Sequence, residues 1–297
     1  MEFSFLYIRG RVALSRILKG LGVIEGDTVA IQAFTCTAVP EAIMSIGAIP
    51  VYVDTEEGGV NMCPTSLERV VQVSKPSVVI IQHTFGIPAN IDPILDLCRE
   101  RKIKVIEDCC HTLNSEYKGK TVGSFSTASF YSFEWGKPLV AGIGGAIITP
   151  NDELYKYLEN DYKNMKSPGL FTNLKLLIQL IGYRILYKPS LYWLLKDAFH
   201  FLGRLGIIKT NFDQNSFSEK INISKDFFYK MPLVNKIRLN QINKKIDEHL
   251  THRERMSLYY EKKFSGTDRS SVKKIKCLTD SKKIYSRFPL LVKNKEK

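Results

Sequence analysis

The chain has 297 residues, 44% hydrophobic and 25% charged, which excludes a disordered or collagen-like polymer and allows one large domain or a large domain with a smaller companion. Its six cysteines (Cys36, Cys63, Cys98, Cys109, Cys110, Cys277) form no CxxC pair and no zinc-ligand spacing, so free thiols in a reducing cytoplasm are expected and a metal site is not. The formal net charge of +13 sits mostly beyond Pro150 and favours anionic partners such as nucleotides or phospholipids; with no helix-turn-helix, zinc-finger or RNP-like signature, nucleic acid is not an expected partner.

The N-terminal MEFSFLYIRGR places its charge after its apolar residues, so no secretory signal is expected. Arg11 to Leu21 has helical apolar spacing and stops at Gly22. Thr28–Gln32 reads as a short apolar strand, Ala33–Thr37 as a loop, and Val39–Ile46 as a helix ended by Gly47. Strands follow at Pro50–Asp54, Ser77–Gln82 and Lys104–Asp108, separated by helices at Pro64–Val71 and Ile91–Arg101. Ser77–Gln82 is a continuous apolar run of the kind buried on both faces of a parallel sheet. Thr127–Phe133 and Gly144–Ile148 complete the strands. This alternation predicts an α/β fold, a mostly parallel sheet covered by helices, with the chemistry at the C-terminal strand ends.

From about Met165 the character changes. The stretch 167–209 is rich in Leu, Ile, Phe, Tyr and Trp, carries Lys175, Arg184, Lys188, Lys196, Arg204 and Lys209 against the single acid Asp197, and is split by Pro189. It predicts two amphipathic helices, with no charge-free run long enough to span a bilayer. Lys230 to Arg255 predicts one long charged helix. The expected organisation is 1–164, 165–220 and 221–297.

Two constellations carry chemistry. In Val105-Ile-Glu-Asp-Cys-Cys-His111, an acid at the end of an apolar strand is followed by His three residues on. Taken alone, Asp108 fits a helix N-cap equally well. In Ser129-Phe-Tyr-Ser-Phe-Glu-Trp-Gly-Lys137, a lysine follows a buried strand and precedes the glycine-rich Ala141-Gly-Ile-Gly-Gly145. Desolvation at such a place makes an amine nucleophilic, although an isolated lysine is by default a surface residue. Gly142, Gly144 and Gly145 do not make a dinucleotide loop, since position 147 is Ile. His83 is either structural or pocket-lining, and no other histidine joins it at metal-ligand spacing.

Taken in order, GRVAL, GVIEGDTVAIQAFTCTA, GAIPVYVD, HTFGIPANIDPI, KVIEDCCHTL, KGKTVGSF and SFEWGKPL with GIGGAIIT resemble the DegT/StrS-type sugar aminotransferases, fold-type I enzymes that use pyridoxal 5'-phosphate (PLP). The resemblance runs from about Ile8 to Tyr157, and Arg238-Leu-Asn-Gln-Ile-Asn resembles the family's later long helix. It implies that Lys137 holds PLP as a Schiff base and moves protons, that Asp108 pairs with the pyridine nitrogen, and that His111 lies near the phenolate oxygen. It further implies that Ser132 and the helix N-terminus at Gly10-Arg11-Val12 receive the phosphate, and that position 36 stacks on the ring.

The chain departs from the pattern at three residues and at both ends. Cys36 replaces an aromatic residue, Pro138 an Asn, and Phe228 an Asn that in the family reaches across a dimer to the phosphate. Few residues precede GRVAL, and Tyr285–Val292, resembling the first strand of the small C-terminal domain, is expected to begin a truncated one. The resemblance implies amino transfer, from glutamate, to a nucleotide-linked keto-sugar in polysaccharide or glycan biosynthesis by a cytoplasmic homodimer. Alternatives are a PLP-dependent sugar dehydratase, disfavoured because those relatives replace the lysine with His, and a non-catalytic membrane-associated protein that keeps the fold. For 167–209, packing on the body or dimer interface stands beside peripheral contact with the inner membrane face, suggested by Trp193, Phe199 and the flanking bases.

Overall fold

The computed structural model describes residues 3–186, 188–204, 228–265 and 272–292. The elements run β1 (Phe5–Tyr7), α1 (Gly10–Gly20), β2 (Thr28–Gln32), α2 (Ala38–Met44), β3 (Ile49–Val53), α3 (Pro64–Ser74), β4 (Val78–Gln82), α4 (Ile91–Glu100) and β5 (Lys104–Asp108). There follow β6 (Glu116–Tyr117), β7 (Lys120–Thr121), β8 (Ala128–Ser132), β9 (Gly145–Ile148), α5 (Asp152–Asn164), α6 (Leu170–Leu186) and α7 (Tyr192–Arg204). The chain continues with α8 (Leu233–Asn243), α9 (Ile246–Ser265), β10 (Val272–Lys274), β11 (Ser281–Lys282) and β12 (Leu290–Val292).

A seven-stranded sheet has the order β1-β9-β8-β5-β4-β2-β3, with every strand but β9 running the same way. Alternation along each strand divides its residues between two cores. Val29, Ile31, Val78, Ile80, Ile106 and Phe130 join a cluster with α1 and α2. Ala30, Val79, Ile81 and Val105 join one with α3 and α4. Burial on both faces explains why these strands read as unbroken apolar runs. Parity also decides the strand ends. Asp108, in register with Phe130, shares its face with Ile106, and Ser132 shares that face with Phe130. Both therefore emerge on the side of α1, whereas Glu107 faces the other way.

Two expectations need correction, and one strand was not expected. The segment from Lys230 to Arg255 is two helices: Lys245 donates to the Ile242 carbonyl at 2.9 Å, a tightened turn that ends α8, and α9 restarts at Ile246. That turn keeps Ile242, Ile246 and Leu250 on one cluster. In Tyr285–Val292 only Leu290–Val292 is strand, paired with β10, because the backbone from Ile284 to Ser286 is committed elsewhere and Pro289 has no N–H to give. The Phe5–Tyr7 strand has too few residues for periodicity to reveal, yet it pairs with β9 at the sheet edge. The boundary at 220 and the end of the stretch 167–209 lie outside the described residues.

Ile284 to Ser286 dock on the turn after β4. Ser115 Oγ donates to the Gly86 carbonyl (2.8 Å) and accepts the Ile284 N–H (3.2 Å), while Ser286 N–H donates to the Phe85 carbonyl (2.9 Å). Gly86 is required here: its φ is +86°, and a Cβ would lie 2.0 Å from the Ile284 carbonyl oxygen. Gly86→Ala should therefore destabilise the protein by roughly 3 kcal/mol through a strained backbone and an ejected segment. Urea denaturation checks this, and an unchanged midpoint would show that the segment is not packed as described.

Candidate functional site

The C-terminal ends of β2, β4, β5 and β8, with the start of α1, bring together loops from distant parts of the sequence. Glu107 is completely buried and spent on structure. It accepts N–H bonds from Gly123 (2.6 Å), Phe125 (2.8 Å) and Ser126 (3.1 Å), the Ser126 hydroxyl (3.0 Å), and His83 Nε2 (3.1 Å). Burial opposes its ionisation, but the His83 bond and these donors outweigh it and hold the carboxyl below its usual range. His83 Nδ1 accepts the Ala89 N–H (3.2 Å), so the ring proton sits on Nε2 and faces Glu107. His83 is thus structural, which resolves the two readings its sequence position allowed.

Asp108 is also buried but lightly satisfied, accepting at Oδ1 the Cys110 N–H (2.9 Å). Lys137, half-buried in the turn after β8, lies within electrostatic reach of Cys110 and His111. His111 stacks on Phe85, ring centroids 5.8 Å apart and 10° from parallel, with Phe34 edge-on to Phe85. Phe85 itself has a left-handed backbone (φ 56°, ψ 16°), a conformation that costs about 1 kcal/mol or more and aims its ring at His111. Burial and the Lys137 charge push His111 down to about 4, against the upward pull of Asp108, with Arg287 pushing further down. Its Nδ1 is buried without a hydrogen-bond partner among the described residues.

At the start of α1 no side chain caps the helix, and Gly10 faces Ser132: a Cβ there would lie 3.1 Å from Ser132 Cβ. An uncapped helix N-terminus brought close to a hydroxyl by a glycine suits an anion. The side chains at the other expected positions are arranged as follows. The Arg11 guanidinium pairs with Glu41, Val12 is in the core and its N–H donates to the Arg9 carbonyl (3.2 Å). Cys36 is exposed in its loop, with no contact joining it to Asp108, His111 or Lys137. Phe228 is 57% exposed, and its backbone carbonyl accepts the Lys166 N–H. The buried thiols of Cys109 and Cys110 are pushed well up by burial and the nearby carboxylates, so neither is a ready nucleophile.

Several residues that position the Lys137 turn were not singled out by sequence. Arg9 pairs with Glu134 at 2.9 Å. Asn235, completely buried, donates to the Ala141 carbonyl at 2.7 Å. Trp135 packs on Tyr183 of α6, centroids 4.1 Å apart. Arg253 of α9 donates to the carbonyls of Pro138 (3.2 Å), Tyr285 (3.3 Å) and Ser286 (3.4 Å). The Arg287 guanidinium lies 3.2 Å from where a Cβ on Gly136 would be, and Gly136 has φ +82°. No local motif marks these residues, whose hydrogen-bond partners are up to 125 positions away in sequence.

Residues 8–183 match the model of the DegT/DnrJ/EryC1/StrS aminotransferase family. The chain belongs to that family. It is 32% identical over 183 residues to GDP-perosamine synthase of Escherichia coli O157:H7, covering 62% of this chain and 49% of that protein. It is 37% identical over 149 residues to the putative pyridoxal phosphate-dependent aminotransferase EpsN of Bacillus subtilis, covering 48% of this chain and 38% of that one. The chain spans about half the length, or less, of the curated relatives it matches. A DegT/DnrJ/EryC1/StrS aminotransferase structure from Brucella abortus superimposes over 98% of this chain and 66% of its own with a TM-score of 0.69; at 18% identity this likeness shows the shared fold.

His111 is the most sensitive probe of the site. Its depressed value means that it is neutral at pH 7 and that its contribution to stability, present above the ordinary 6.5, is lost as pH falls toward about 4. NMR titration of wild type should show this low value, and Lys137→Ala should raise it by removing a nearby positive charge. An ordinary value in wild type would mean that the ring is not enclosed as described.

Proposed function

We propose that this chain binds PLP and transfers an amino group from glutamate to a nucleotide-linked keto-sugar. The observation that carries the reading is the gathering of Lys137, Asp108 and neutral His111 at the C-terminal ends of the central strands, beside an uncapped helix N-terminus next to Ser132. The residues present fit the cofactor. The unpartnered His111 Nδ1 is a buried polar atom awaiting a ligand group, and Gly10 lets the start of α1 approach Ser132 closely enough for both to face one phosphate. The names of the relatives, one acting in GDP-perosamine synthesis and one PLP-dependent, supply the substrate and cofactor classes.

Lys137 would hold the cofactor through its amine, Asp108 its pyridine nitrogen, and Ser132 with the N–H groups at Gly10–Arg11 its phosphate. PLP, when bound, supplies an electron-withdrawing ring that stabilises negative charge at the substrate carbon bearing nitrogen. The buried Asp108 carboxylate keeps a positive charge favourable opposite it. Lys137 Nζ takes a proton from the donor's amine-bearing carbon and delivers one to the acceptor carbon as it gains nitrogen. His111, neutral and rigidly stacked on Phe85, orients without competing for that proton. Arg287, beside Gly136, is a cation that could meet an anionic group of the substrate.

The same reading assigns 1–164 to the cofactor-binding unit and takes the working form as a homodimer, for which exposed Phe228, Leu233 and Ile237 near the start of α8 offer apolar surface. Purified protein mixed with PLP should develop a visible absorption band that Lys137→Ala lacks. With glutamate and a panel of nucleotide-linked keto-sugars, Asp108→Asn should slow amino transfer at least about 100-fold while retaining the cofactor. Absence of PLP binding by wild type, or transfer that survives Lys137→Ala, would overturn the proposal and favour a non-catalytic role.

A further inference from the structure

Helix α6 has two apolar faces, of which the fold uses one. Asn173, Leu176, Leu180 and Tyr183 turn inward: Asn173 Oδ1 accepts the Val234 N–H, Leu180 lies against Gly142, and Tyr183 packs on Trp135. At about 100° per residue, Phe171, Leu174, Leu177, Ile178, Ile181 and Ile185 fall on a different arc about 120° wide. None is covered: their exposures run from 40% for Leu177 to 81% for Phe171, and α6 has no buried residue at all. Lys175 borders the arc on one side and Arg184 on the other. Neither has an acidic partner among the described residues. In α7, Trp193, Leu194 and Phe201 are exposed, and Lys196 Nζ sits 4.9 Å over the Trp193 ring. Phe199, counted toward the same surface from sequence, has no described side chain.

Charge decides what can cover this surface. Between Asp161 and Asp197 there is no acidic residue, while Lys163, Lys166, Lys175, Arg184, Lys188 and Lys196 are all basic. A second copy laid face to face would oppose these like charges with only Asp197 of α7 as a carboxylate to offset them. A bilayer span is excluded for this pair, since among the described residues no helix is long and apolar enough to cross a membrane. An apolar stripe bordered by cations, with an aromatic residue beneath a lysine, matches the zone where acyl chains meet anionic headgroups.

We propose that α6 and α7 seat the protein on an anionic phospholipid surface, with the Phe171–Ile185 stripe among the acyl chains and Lys175, Arg184, Lys188 and Lys196 among the headgroups. This inference does not depend on the aminotransferase reading, and its test needs no cofactor. Full-length protein should float with vesicles of phosphatidylcholine containing phosphatidylglycerol, and much less with phosphatidylcholine alone or at high salt. Recovery should fall about tenfold in Ile178→Asp/Ile181→Asp, and similarly in Lys175→Glu/Arg184→Glu. Both pairs lie on exposed positions, so circular dichroism and the urea midpoint should match wild type. Wild type that stays unbound with anionic vesicles overturns the proposal. So do substitutions that leave flotation intact but change the oligomer in sedimentation velocity, a result that assigns the face to a second copy.

Discussion

Two adjacent carboxylates, Glu107 and Asp108, end a strand buried in the middle of the sheet. Removing a carboxylate from water is costly unless donors or a cation replace the lost hydration. Strand alternation sends the pair to opposite faces, and the two faces solve the problem differently. Glu107 is surrounded by backbone N–H groups, a hydroxyl and a tautomerically fixed His83, and becomes an inert buttress for the loop 123–126. Asp108 receives one backbone N–H, from Cys110, with the Cys110 thiol beside it, far fewer donors than Glu107 has. The under-compensated carboxylate gives this edge its capacity to stabilise positive charge, and the neutrality of His111 follows from the same burial.

Much of this was legible in the sequence. The apolar runs at Val78–Gln82 and Lys104–Asp108 announce strands buried on both sides, and the loops after them were the expected location of the chemistry. Asp108, His111, Ser132 and Lys137 lie at or just past the ends of recognisable strands, but it was the resemblance of the ordered motifs, not short-range pattern alone, that nominated them. What escaped was long-range or non-periodic. The Phe5–Tyr7 strand is too short to show alternation, and Asn151, which caps α5 by accepting the Leu154 N–H, announces a helix that lacks a family motif. The break at Lys244 is a single tightened turn within otherwise uninterrupted helical composition. Arg253 and Arg287 matter only because tertiary folding carries them to the Lys137 turn, and nothing local distinguishes them from the chain's many other bases.

Arg253 shows how such remote residues exert their effect. Its guanidinium, desolvated enough that burial pulls it below its usual value, holds the carbonyls of Pro138, Tyr285 and Ser286 together. Carbonyls bound to a cation lose more than ordinary hydrogen-bonded ones when the partner is removed. Through that grip, α9, the turn containing Lys137 and the segment docked on Phe85 have their positions fixed by one another. The stacked His111–Phe85 pair is therefore held from two directions, by its own left-handed turn and by the C-terminal segment bound to Phe85.

The contact between Trp135 and Tyr183 has a mechanical reading. Trp135 stands two residues before Lys137, and Leu180, one helical turn before Tyr183, presses on the turn around Gly142 just beyond it. Helix α6 therefore touches both shoulders of the lysine's loop while turning its other apolar face outward. A force on that outer face, from any source, would reach the loop through ring-on-ring packing without crossing the sheet. The helix is thus coupled to the lysine's loop from both sides, through Trp135 and the turn at Gly142.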